Sequence, residues 1–496
     1  MKANNLLSAQ SKAAARRGAV LTGLTLLTAL AAALVLAGCA STGNIKPHAA
    51  SLNADAVGLN TGAAAPVVAA DWWQGFGDAA LNQLIDKALA DSPSLKLAQS
   101  RIEQAQAAAE GVGAAERPQL NAELDANRQH FSKTGIYPPP LGGATLNIGT
   151  LQANGSWELD FFGRNRSALD AAVGAQRAAE ADAQAARVLL AANVTHGYFQ
   201  LARLVEQRDV AQRSLGQREE ILALVRERVQ AGLDTSVELR QSEGSLPETR
   251  QQLEALDEQI ALARHALAAL TVQPPQALDG LTPHLQPVQA VPLPAAVPAD
   301  LLGRRADIAA ARWRVEAANK GVASARASFY PNINLVAFAG FNSIGFGNLL
   351  KSDSKQYGFG PAFSLPIFDG GRLRANLHGK SAELDAAVES YNSSLIDAVR
   401  DVADQIASLQ SIDRQQTEQA AAQTSAESAY DLALQRYKAG LGTYLTVLTA
   451  EGNVLAQRRQ ATDLKARQLD TQVALIRSLG GGYAAGADMQ TAQASN

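Results

Sequence analysis

At 496 residues the chain is long enough for about three ordinary domains, yet 47% of it is apolar and only 5% aromatic, a balance that favours long, closely packed helices over a globular aromatic core. The formal net charge of −3, with charges interspersed rather than in runs, gives no reason to expect nucleic acid. The single cysteine, Cys39, excludes an intrachain disulfide and a thiolate metal cluster.

Residues 1–38 read as a targeting segment. Lys2, Lys12, Arg16 and Arg17 make a basic start, Ala19 to Leu36 is almost wholly apolar, and Leu36-Ala37-Gly38 precedes Cys39 with small residues. The apolar run is just long enough to span a bilayer, so an uncleaved anchor is the alternative. The tetrapeptide resembles a bacterial lipobox, which implies that Cys39 is the acylated N-terminus of the mature chain and that Ala40 after it directs sorting to the outer membrane. Residues 39–70, mostly Ala, Gly, Ser and Thr, read as an extended tether.

A first repeat is expected over 71–272. Helix is predicted over 79–117, with Asp78 as a cap and a fresh start at Ser92-Pro93; Trp72 and Trp73 before it read as packing anchors. The period then changes to two, predicting strands over 119–132 and 146–162. Leu120, Ala122, Leu124 and Ala126 face one way, Asn121, Glu123, Asp125 and Asn127 the other; Leu151, Ala153, Gly155, Trp157 and Leu159 alternate in the same way with Gln152, Asn154, Ser156 and Glu158. At Ser156 to Arg166, reading SWELDFFGRNR, strand turns into helix at Gly163 and Arg164. Helices are predicted over 164–230 and 234–271, the first being about 100 Å long at 1.5 Å per residue. Three-and-four spacing at Leu190, Val194, Tyr198, Leu201 and Val205 marks a coiled-coil seam.

The pattern then recurs. After a Pro-rich linker over 273–300, a second repeat over 301–479 carries helix at 302–329, strands at 332–345 and 355–368, and helices at 372–438 and 443–479. The corner at Gly371 and Arg372, in LPIFDGGRLR, lies 208 residues beyond Gly163 and Arg164, and Gly440 lies the same interval beyond Gly232, each where a left-handed residue would close a helix. Residues 480–496 read as a flexible tail.

Four strands of about ten residues, each apolar on one face, fit a membrane barrel wall as well as a soluble sheet buried on one side. Membrane barrels need about eight strands to close, and an open edge cannot face lipid. If the strands span a membrane, several chains share one barrel.

The blocks DWWQGFGD, SWELDFFGR, RRADIAAARWRVEAANKGVASARASFYPNINL, FSLPIFDGGR and RYKAGLGTYLTVLTAE together resemble the outer-membrane efflux lipoproteins of the TolC and OprM type, over nearly the whole chain from Asp71 to Leu479. The resemblance implies an α+β membrane protein of a Gram-negative outer membrane: a homotrimer in which four strands per chain build a twelve-stranded barrel, continued by a helical coiled-coil tunnel in the periplasm. It implies a conduit without chemistry or cofactor, joined to an inner-membrane pump of the RND type through a periplasmic adaptor, the membrane fusion protein. Carried onto this sequence, adaptor contact falls on Gly232, Leu233, Thr235 and Ser236 and on Gly440, Leu441, Thr443 and Tyr444. The periplasmic gate falls on Leu445 and Thr449; Thr449 stands where relatives carry Asp, which leaves Glu238 and Glu451 as the acidic candidates. The same fold also serves type I secretion and metal efflux, and a non-conducting coiled-coil envelope lipoprotein is the rival from another class. That rival leaves the two-faced strands unexplained. The six histidines are scattered, with no i, i+4 pair, so no metal site is expected, and no nucleophile constellation appears.

Overall fold

The structure, a computed structural model, describes residues 42–52, 68–285 and 301–483; the targeting segment, Cys39 and most of the linker lie outside them. The chain divides into two compact units. One takes residues up to 50 with 104–176 and 313–389; the other takes 51–103, 177–312 and 390 onward.

The first unit holds the strands β1 (Gln119–His130), β2 (Thr145–Leu159), β3 (Asn332–Ile344) and β4 (Lys355–Ser364), paired in that order. All three pairings are antiparallel, and the register aligns the apolar set: Leu124 faces Leu151, which faces Phe341, and Trp157 faces Leu335, which faces Pro361. One face of the sheet is therefore apolar from edge to edge. The other is polar on β1 and over Thr150 to Glu158 of β2, but Leu146 and Ile148 of β2 and Val336 and Phe338 of β3 also lie on it, and the Phe338 ring lies over Gly358, where a Cβ would come within 2.7 Å.

Both strands that lead into long helices stop earlier than the sequence predicts, β2 at Leu159 and β4 at Ser364. Their shared partner β3 begins at Asn332, after Pro331, so the ladder ends at the pairs Asn332–Ser364 and Ile333–Leu159, and an aspartate then organises each corner. Asp160 accepts hydrogen bonds from the backbone N–H groups of Arg164 and Arg166 at 2.7 and 2.8 Å, and Asp369 accepts from those of Gly371 and Leu373 at 2.9 and 2.8 Å. Each carboxylate satisfies orphan backbone donors where the long helix begins.

The second unit is helical. The helices are α1 (Ala79–Asp91), α2 (Pro93–Gly113), α3 (Arg164–Gln230), α4 (Ser236–Leu270), α5 (Ala306–Ala327), α6 (Arg372–Lys438) and α7 (Tyr444–Ser478); some of them begin or end in the first unit. The main core gathers Trp72, Trp73 and Phe76 against Phe199, Leu201, Leu267 and Val473. Asp78 caps α1 by accepting from the N–H groups of Ala80 and Leu81, and also accepts from the Tyr198 hydroxyl at 2.6 Å, so one carboxylate ties α1 to α3.

The tail expectation changes at its start. Gly480, Gly481 and Gly482 all take positive φ, and a Cβ on them would lie 1.9 Å from the Arg304 carbonyl oxygen, 2.2 Å from Val188 and 2.2 Å from the Ala69 carbonyl oxygen. Only glycine passes so close to three neighbouring segments, which makes 480–483 part of the packed unit. The N-terminal strap is likewise held: the N–H groups of His48 and Ala49 donate to Asp385, within the first unit.

Candidate functional site

Two hairpin tips, α3 to α4 and α6 to α7, both belong to the second unit. Each first helix ends identically. The N–H of Leu233 donates to the Arg228 carbonyl and that of Gly232 to Val229; the N–H of Leu441 donates to Arg436 and that of Gly440 to Tyr437. With φ of +75° at Gly232 and +76° at Gly440, both are Schellman closures. The following helices start differently. Thr235 and Glu238 form a capping box, and that box holds the Glu238 carboxyl below the usual carboxylate range, chiefly through the Thr235 hydroxyl. Thr446 occupies the place of Glu238 in the second tip, and Thr443 makes no side-chain cap.

The tips are joined by a cluster that sequence reasoning missed. Asp234 accepts from Arg228 Nε at 2.9 Å and Nη2 at 3.3 Å, and from the Tyr437 hydroxyl. The Arg228 guanidinium also lies 4.6 Å from the centre of the Tyr437 ring. Burial works against the charge on Asp234, but the hydrogen bonds from Arg228 and Tyr437 outweigh it and hold the carboxyl below its usual range. Burial pushes the Tyr437 hydroxyl up, with Asp234 adding to it. An ionised acceptor and a protonated donor are thus fixed together at neutral pH. Around them Ile221, Val225, Ala433, Tyr437, Tyr444 and Val447 form a small apolar core.

The predicted tip residues separate. Leu233 and Leu441, 65% and 71% exposed, present apolar side chains at the two turns, and Thr235, Ser236 and Thr443 are also exposed. Tyr444 is not: it is buried beside Tyr437, ring centroids 6.1 Å apart, so as a contact residue it is corrected to core. Leu445 and Thr449 are exposed one turn apart on α7, the Thr449 hydroxyl donating to the Leu445 carbonyl at 2.8 Å.

Glu451 is also corrected. It is only 3% exposed, accepting from Ser214 at 3.0 Å and from Arg218 Nε at 2.8 Å, while Arg218 Nη1 donates to the Ser245 carbonyl and to Thr249. Its carboxylate binds α7 to α3 and α4 and is withdrawn from the surface. The corner residues Gly163 and Gly371 have φ of +74° and +91°. Arg164 donates from Nη2 to both Glu158 oxygens at 2.7 and 2.6 Å, and Arg372 is exposed at the start of α6. Among the described residues no group of His, Cys, Asp and Glu is placed to hold a metal, and no helix is long and apolar enough to cross a membrane.

The chain is 40% identical over 377 residues to the fusaric acid resistance protein FusA of Burkholderia cepacia, covering 73% of this chain and 70% of that one. It is 33% identical over 420 residues to the putative multidrug resistance outer membrane protein MdtQ of Escherichia coli, covering 83% and 88%. Its fold superposes on the outer membrane protein VceC of Vibrio cholerae with a TM-score of 0.78 at 36% identity, over 84% of this chain and all of that one. It also matches the open state of the MtrE outer membrane channel of Neisseria gonorrhoeae, TM-score 0.74 at 27% identity, over 88% and 97%. The outer membrane efflux protein family matches residues 84–272 and 297–481, one stretch in each repeat, and the chain belongs to that family.

Proposed function

We propose that this chain is one of three copies that together form the outer-membrane channel of a tripartite efflux pump, conducting small solutes outward without chemistry of its own. The observation that carries the reading is the sheet: one face is apolar across all four strands except at its loop end, where Arg128, His130, Asn147 and Lys355 lie, and β1 and β4 are paired on one side only. Edge groups of that kind cannot face lipid unpaired, and three such sheets joined edge to edge make a closed wall of about twelve strands, within the range of outer-membrane barrels.

The exposed leucines and hydroxyls at the two turns are the surface on which a periplasmic adaptor docks, linking the channel to an inner-membrane RND-type pump. Leu445 and Thr449 line the constriction, with Glu238 beside the first tip. Gating is a repacking of the tips that adaptor binding biases toward the open state. Acylation at Cys39 anchors the chain to the outer membrane. The relatives named for multidrug and fusaric acid resistance support drugs and small aromatic acids as cargo. Mass determination in detergent tests the assembly: the reading expects a trimer, and a monomer at all concentrations would overturn it.

A further inference from the structure

The two tips are copies of one element, so their differences are informative. Over 226–240 the first tip carries Arg226, Arg228 and Arg240 against Glu227, Asp234 and Glu238, and its charges balance. At the positions 208 residues on, the three acids have become Gln435, Gly442 and Thr446, while the cations are Arg436 and Lys438. The second tip therefore has two positive charges and no negative one between 434 and 448. Both cations are exposed, and neither has a carboxylate within ion-pair distance among the described residues; Arg436 reaches only the Leu441 carbonyl, at 3.4 Å.

The neighbouring acids do not neutralise them. Glu451 is buried on Arg218, Glu427 is paired with Arg458, and Asp234 with Arg228. Asp431 is exposed more than a turn back along α6. Along the exposed side of α7, Leu445, Thr446, Thr449, Gly452 and Asn453 carry no charge at all. Basic residues at a helix C-terminus complement its dipole, which accounts for Arg436 and Lys438 by themselves. It does not account for the loss of every acid that the first tip keeps.

We propose that the second tip is a charge filter that favours anionic solutes over cationic ones. The proposal rests on the reading that this tip forms the channel's constriction. In a narrow passage fixed charges of one sign concentrate ions of the other, and the effect weakens as salt shortens the screening length from about 10 Å at 0.1 M to about 3 Å at 1 M.

The test is the reversal potential of the full-length protein in planar bilayers under a KCl gradient. The expected result is chloride more permeant than potassium at low salt, with the preference fading at high salt. It should be lost in the double variant Arg436→Gln/Lys438→Gln and weakened by Thr446→Glu, which halves the net positive charge of the tip, and it should invert when all three substitutions are combined. A conducting channel that prefers potassium, or one whose preference ignores both sets of variants, overturns the filter and leaves the channel reading intact. Absence of conductance in the wild type and also in Tyr437→Phe, which loosens the tips, overturns both.

Discussion

Removing one oxygen from the tip cluster should open the channel. Tyr437 is fully buried, and its hydroxyl donates to Asp234, which is already bound to Arg228. Phenylalanine keeps the ring in the small apolar core and under the guanidinium, so Tyr437→Phe deletes only the hydrogen bond. A hydrogen bond to a charged group contributes about 1.5–3 kcal/mol. If it exists only in the closed tip, its loss shifts the open-to-closed ratio of each protomer by roughly thirtyfold, taking about 2 kcal/mol at about 1.4 kcal/mol per decade, and by more for a trimer whose tips open together. Single-channel recording reads this as open probability, and thermal unfolding in parallel should change little. Asp234→Asn should do more, because it leaves Arg228, at 11% side-chain exposure, without a counter-charge. The pH dependence follows from the depressed Asp234 carboxyl: its contribution is fully present above the ordinary carboxylate range and is lost as pH falls through the lowered value. The tips should stay closed down to about pH 4 and loosen only in stronger acid. Unchanged open probability in both variants would refute the cluster as a lock.

Further substitutions probe how the helices are held. Arg218→Ala strands the buried Glu451 and should cost about 3–5 kcal/mol of stability, whereas Arg218→Met with Glu451→Leu should be close to neutral; denaturant unfolding of the single and double variants distinguishes them. Thr235→Ala removes a capping box and should cost about 1 kcal/mol, while Thr443→Ala, at a position without a side-chain cap, should cost less; hydrogen exchange in the first turns of α4 and α7 measures the difference. Gly481→Ala places a methyl group 2.2 Å from Val188 at a φ of +55°, and left-handed strain plus overpacking should destabilise the second unit by about 2–4 kcal/mol, read as a lowered melting temperature.

Much of the architecture was legible because two simple periods govern it. The long helices run 164–230 and 372–438, the spans their three-and-four spacing predicts, and the 208-residue interval places both corners and both turns. Strand ends were less legible. The alternation continues through Phe161 and Ile367, but the partner strand β3 begins only at Asn332, and Asp160 and Asp369 bind backbone donors two to six residues ahead, neither of which periodicity registers. The tip cluster was hidden for the opposite reason: Asp234 and Tyr437 lie 203 residues apart, and Tyr437 takes the place of Val229 in the duplication, so comparing the repeats does not single it out. Glu451 was misread because its position near the gate suggested exposure, while its burial depends on Arg218 of another helix. The glycine run at 480–482 has the composition of a loose tail, yet three close approaches need that composition for packing.

Conductance of the purified full-length protein in planar bilayers, with its assembled mass measured on the same sample, decides whether the chain forms a trimeric channel closed at its helical tips. The expected result is a trimer of low open probability whose conductance rises in Tyr437→Phe and Leu445→Ala. A trimer that conducts nothing with both tips altered, or a protein that remains monomeric, would contradict it.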